Sequence, residues 1–209
     1  MQKIHDFGIS PKEYFFKGQD NDFPELKRCP ECNDVLIKHG FYERFVITSS
    51  RKTYIIFIRR FKCKHCGQTV SILPSFLLPQ FQRSLAFIFH CLDQYFLKRD
   101  YSLNHRQVHF YCRRFRKNIP GIILFFREKL DSFFTFGKKI KKKAIKLIEM
   151  IKSHPAHTFS QRYYNHFNKN FMCPKQSMAG LEITAGVGLM LLNPKEDLTV
   201  IKAEKSTDA

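Results

Sequence analysis

The chain has 209 residues, 44% of them hydrophobic, and carries 36 Lys and Arg against 18 Asp and Glu, a net charge of +18. That length admits one or two compact units with a real core, and the charge, far beyond what solubility needs, attracts polyanions, nucleic acid first. The longest apolar runs, such as residues 122–126, are too short to cross a membrane and soon meet Arg127, and residues 1–16 lack the apolar core of a signal peptide, so a cytoplasmic, reducing setting is expected for the seven cysteines.

The charge is unevenly placed. Residues 81–152 hold 17 basic and 5 acidic groups, a surplus of 12, which marks them as the place where a polyanion should sit.

In chain order, residues 1–26 read as a polar, aromatic-spotted lead-in with a loop at 18–25, because Gly, Asp, Asn and Pro cluster there without apolar periodicity. From Val35 to Phe61 the chain turns to β-branched and aromatic runs split by a polar TSSRKT turn, a hairpin or three-stranded meander in which His39-Gly40 would turn between the first two strands. After Gly67, Pro74 and Pro79 suggest an apolar connector without a long helix. Helical periodicity then begins: Leu85, Ile88, Phe89, Leu92, Tyr95 and Phe96 share one face of a helix over 84–98.

Ser102 is the expected N-cap of a second helix over 103–117, where Val108, Tyr111, Cys112 and Phe115 form the buried side. Pro120-Gly121 should end it, a third helix should cover 122–136, and a fourth should follow, with Ile140, Ala144, Ile148 and Ile151 inside, stopped by Pro155. Residues 153–209 are weakly patterned, with an apolar GLMLL patch at 188–192. The expected architecture is α+β: a small β zinc ribbon (27–80), a helix-turn-helix-like basic helical domain (81–152) and a poorly patterned tail.

Two Cys-x-x-Cys pairs, Cys29/Cys32 and Cys63/Cys66, frame the β-rich stretch. Each pair can turn both sulfurs onto one ion, and together they supply the four soft ligands that a closed, structural zinc site prefers. Asn33 and Gly67 follow the second cysteine of each pair, where a tight turn favours a left-handed backbone. His39 and His65 stand near enough to substitute as ligands, whereas Cys91 and Cys112 fall on apolar helix faces and Cys173 has no partner.

On the second helix, Arg106, His109, Arg113, Arg116 and Lys117 lie opposite the apolar face, as a major-groove recognition helix requires. Lys138, Lys141 and Lys142 on the fourth helix would add sequence-independent phosphate contacts, or hold that helix on a membrane surface. Arg59 and Arg60 would extend the basic surface onto the ribbon.

A metal-dependent nuclease needs converging carboxylates. Asp93, Asp100, Glu128, Asp131 and Glu149 lie on no strand, Glu182, Glu196 and Asp197 have little regular structure around them, and Gly186–Gly188 is too little for a phosphate loop, so no catalytic site is expected.

The segments RCPECN (28–33), KHGFYER (38–44), RRFKCKHCGQTVSILPSFLLP (59–79) and YSL (101–103) before a basic helix resemble an uncharacterised zinc-ribbon domain of transposase-like proteins of Firmicutes. The likeness spans 28–117. It implies a DNA-binding, mobile-element-associated protein with Cys29, Cys32, Cys63 and Cys66 as ligands, here without room for a catalytic domain of its own. Two other readings stay open: a zinc-stabilised scaffold that binds a protein through its Phe-rich helices, and a transposition enzyme with unrecognised carboxylates.

Overall fold

The computed structural model describes residues 1–98, 103–130, 135–153, 156–173 and the backbone of 200–201. The protein is a mixed α+β structure. Four strands, β1 (Gln2–His5), β2 (Leu36–Ile47), β3 (Thr53–Cys63) and β4 (Thr69–Pro74), lie in the order β1-β4-β3-β2. β1 runs parallel to β4, the other two pairings are antiparallel, and the two-residue β5 (Val200–Ile201) lies parallel to β3 at Thr53 and Tyr54.

The lead-in is not irregular, as composition suggests: it supplies β1 and a helix, α1 (Pro11–Lys17). A capping box starts α1, with the Glu13 amide donating to Ser10 Oγ at 3.2 Å and the Ser10 amide to the Glu13 carboxylate at 2.7 Å, and Pro11 presets the first helical φ. Buried Tyr14 ties α1 to the sheet by donating its hydroxyl to the Phe57 carbonyl at 2.9 Å.

The expected hairpin forms, but His39-Gly40 does not turn the chain. β2 runs straight through as one strand, and the register slips so that His39 and Gly40 together oppose Arg60, a bulge that uses Gly40 at φ 79°. The turn comes at 48–52, closed by the Thr48 amide on the Lys52 carbonyl. The supposed connector after Gly67 is β4; it ends on Pro74, which has no amide donor, and the Ser75 amide beyond it still donates to the His5 carbonyl at 2.8 Å.

Helix α2 (Leu85–Asp93) is N-capped by Ser84 and continues as a π turn, Gln94–Lys98. Helix α3 (His105–Leu130) does not stop at Pro120 and absorbs most of the expected third helix. Proline inside a helix costs about 3 kcal/mol through its lost N–H and its ring clash. Buried Ile119, Ile122, Phe125 and Phe126 on either side of it offset that loss, and the Asn118 amide bridges the Arg114 and Cys173 carbonyls beside it. The cap of α3 is Asn104, whose Oδ1 accepts the Arg106 amide at 3.0 Å; Ser102 lies outside the described residues.

Helix α4 (Ile140–Ser153) buries Ala144, Leu147, Ile148 and Ile151, whereas Ile140, expected inside, is exposed at its first turn. The tail also contributes: α5 (Ala156–Phe167) buries Phe159 and Tyr163, and Phe171 and Met172 close the same helical core. The GLMLL patch and Pro155 fall outside the described residues.

At Gly121, α3 runs close against a side chain of α5. A Cβ there would stand 2.9 Å from the hydroxyl oxygen of Tyr163, a side chain held in the core and unable to swing aside. Gly121→Val should therefore destabilise the protein by about 1–3 kcal/mol, read from the urea midpoint; an unchanged midpoint would show that the two helices give way freely.

The hairpin has two differently occupied ends. At Leu36 and Cys63 a small cluster of Cys29, Leu36, Phe61, Cys63, Val70 and Ile72 backs the cysteines. At the other end the Ile47 amide donates to the Gln82 carbonyl and the Ser84 amide to the Ile47 carbonyl, which joins the sheet to α2. Arg44 strengthens that joint by donating to the Leu78 and Phe81 carbonyls. At roughly 3.3 Å per residue, the cysteines stand about 35 Å along the strand from the helices.

Candidate metal centre and basic helix

Two loops of the same design carry the cysteines. In the first, the Cys29 amide donates to the Asp34 carbonyl at 2.8 Å with Asn33 at φ 59°; in the second, the Cys63 amide donates to the Gln68 carbonyl at 2.9 Å with Gly67 at φ 71°. The positive φ curls each loop back, so that its two sulfurs point the same way. β3 delivers Cys63, and β2 starts immediately after the first loop, so hairpin pairing brings the loops together.

All four sulfurs lie within 4.8 Å of one another. The Cys29–Cys66 and Cys32–Cys63 separations are 3.7 and 3.5 Å, close to the roughly 3.8 Å edge of a sulfur tetrahedron around zinc, and far from the roughly 2.05 Å of a disulfide. The arrangement is compatible with a metal site. Among the described residues no histidine joins the cluster, so neither His39 nor His65 replaces a cysteine.

The thiols are not equivalent. Backbone amides of Cys32 and Glu31 aim at Cys29 and lower its pKa to about 7. At Cys66 the Gln68 amide favours the thiolate, but burial and the crowding by Cys32, Cys63 and Cys29 prevail and raise it to about 12.

On α3, Arg106, His109, Arg113, Arg116 and Lys117 are all exposed and fall on one stripe, while Val108, Tyr111, Cys112 and Phe115 are buried on the opposite side. Among the described residues none of the four cations Arg106, Arg113, Arg116 and Lys117 has a carboxylate partner. Neighbouring Arg114 behaves differently: half-buried, it stacks on Phe110 at 4.5 Å and donates to the Met172 carbonyl.

Two residues of this surface escaped the sequence reading. Tyr95, brought round by the π turn, packs edge-on against His109 and lines a groove of about 480 Å³ with Arg106, Arg113 and Arg116. His105, one turn before His109, places its Nε2 3.0 Å from that of His109, a contact their four-residue spacing foreshadows.

Residues 29–108 match a family described as a domain of unknown function (DUF6431). No curated protein and no solved structure matches the chain. The DUF6431 span takes in all four cysteines, β2 to β4, α2 and the first turn of α3.

Of the basic residues beyond α3, Lys138 just before α4 and Lys141 and Lys142 in its first turn are exposed. Arg59 and Arg60, adjacent in β3, point to opposite faces of the sheet and cannot serve one surface together. Arg59 lies over Phe41 at 4.5 Å, Arg60 over Tyr42 at 5.6 Å, and both are half-buried. No helix among the described residues is long and apolar enough to cross a membrane. Asp100, Asp131, Glu182, Glu196, Asp197 and Gly186–Gly188 lie outside the described residues.

Proposed function

We propose that this is a cytoplasmic DNA-binding protein of the mobile-element, transposase-like kind, built from a structural zinc ribbon and a helix-turn-helix in which α3 follows α2 and meets the duplex. The observation that carries this reading is the α3 stripe: Arg106, Arg113, Arg116 and Lys117 exposed, without carboxylate partners, and backed by a fully packed apolar face that holds the helix rigid. A basic helix that merely solvates a bundle needs no such stripe of unpaired cations. The lysines of α4 add phosphate contacts that are blind to sequence.

Zinc held by Cys29, Cys32, Cys63 and Cys66 would supply folding energy rather than catalysis, because four thiolates leave no position for water or substrate. The ribbon then acts as a rigid strut ending in the metal.

Counter-ion release tests this reading. If four to five of these cations meet phosphates, the logarithm of affinity for a duplex should fall with the logarithm of salt at a slope of about −4. Retention that ignores salt, or none at low ionic strength, would count against DNA and in favour of a protein-binding scaffold.

A further inference from the structure

Two exposed imidazoles meet on the first turns of α3. His105 and His109 stand four residues apart in the sequence, a spacing that puts them on one side of the helix. Their Nε2 atoms lie 3.0 Å apart, with ring centroids at 4.1 Å and ring planes 45° apart. As neutral rings they can share one N–H between these nitrogens, or each can carry its proton on Nδ1 and offer the Nε2 lone pair to a metal ion. A modest turn of two exposed side chains, which takes nanoseconds or less, converts the first arrangement into the second.

The separation is that of a chelate. Two imidazole nitrogens about 2.1 Å from one ion stand about 3.0 Å apart when they subtend a right angle, and about 3.4 Å apart at the tetrahedral angle. The observed distance matches adjacent positions on a square or octahedral ion, the geometry of nickel(II) and copper(II), better than it matches tetrahedral zinc.

The helix holds the pair in place. Asn104 Oδ1 accepts the Arg106 amide, and the Asn104 carbonyl accepts the Val108 amide at 3.1 Å, so the turn that spaces the histidines is formed. Val108 and Cys112 anchor the same turns in the core, and Tyr95 packs edge-on against His109 at 5.2 Å. Ligands carried on a rigid element lose little freedom on binding. Among the described residues no cysteine or carboxylate joins the pair, so water would take an ion's other positions. Arg106, adjacent in sequence, and the positive end of α3 oppose any cation held by charge alone. Magnesium and calcium, which need oxygen donors, are thereby disfavoured, whereas ions that bond to neutral imidazole are not.

We infer that His105 and His109 form a bidentate, solvent-open site for a divalent transition ion of the nickel or copper kind, separate from the four cysteines. The site does not depend on the DNA reading of α3, because its ligands are neutral imidazoles and its test contains no nucleic acid.

The full-length protein, loaded with zinc and freed of excess, is titrated with nickel chloride and separately with magnesium chloride by calorimetry, with released zinc measured alongside. Nickel should saturate one site per chain with a Kd of about 0.1 mM or below and expel no zinc, and magnesium should not saturate up to about 10 mM. His105→Ala and His109→Ala should each weaken nickel binding at least about tenfold with Tm nearly unchanged, because both side chains are exposed. His39→Ala, at an exposed position of β2, should leave it as it was. His105→Ala with Gln107→His keeps two histidines in the segment but spaces them two residues apart, on different sides of the helix, and should bind as weakly as His105→Ala alone. No saturation by nickel up to about 1 mM, nickel uptake matched by zinc release, saturation by magnesium, indifference to either histidine change, or full binding by the double variant would overturn the inference.

Discussion

Cys63→Ser is expected to strip the protein of zinc and unfold the cysteine end of the sheet. Cys63 is 1% exposed, pairs with Leu36 in the hairpin and supplies one of the four clustered sulfurs. A serine hydroxyl is a poor ligand for a soft site, and structural zinc contributes on the order of 10 kcal/mol or more to folding, comparable with the whole stability of a domain. The apolar support at that end, Leu36, Phe61, Val70 and Ile72, is too small to replace it. Metal analysis and thermal unfolding of wild type and variant decide the matter; a wild-type protein without stoichiometric zinc would remove the zinc reading.

The thiol chemistry sets the pH dependence of the same experiment. With Cys29 lowered to about 7 and Cys66 raised to about 12, filling the site must expel protons from thiols that would otherwise keep them. Zinc affinity therefore climbs with pH, and acid releases the metal. A chelator should act faster at pH 6 than at pH 8.

Arg113→Ala with Arg116→Ala should weaken duplex binding by about tenfold to a hundredfold near 0.1 M salt and reduce the steepness of the salt dependence by about 2. Both side chains point to solvent, so stability should stay within about 0.5 kcal/mol. Arg114→Ala is the internal contrast. Its guanidinium rests on Phe110 and holds the Met172 carbonyl, so the change should lower stability by about 1 kcal/mol and leave the salt dependence nearly intact. Unchanged DNA affinity in the folded double variant would take these arginines out of the interface.

Several errors of the sequence reading share one origin. The capping box of α1 is visible as Ser10-Pro11-Lys12-Glu13, yet loop-like composition on both sides masks it, and β1 gains its partner only 69 residues later. Pro120-Gly121 is strong local punctuation, but packing against α5 overrides it, and the glycine is needed because Tyr163 comes so close.

What the sequence by itself determined is whatever depends on spacing along the chain: the two cysteine loops with Asn33 and Gly67, the alternating hairpin between them, and the separation of apolar and basic faces on α3. Those patterns follow from periods of 2 and 3.6 residues and from the reach of a two-residue turn. Only the tertiary structure decided what depends on distant neighbours: the parallel pairing of β1 with β4, the survival of α3 through Pro120, and the union of α5 with the helical core. Burial that outweighs a local preference is collective, shared among side chains far apart in sequence, and a short window of residues carries no trace of it.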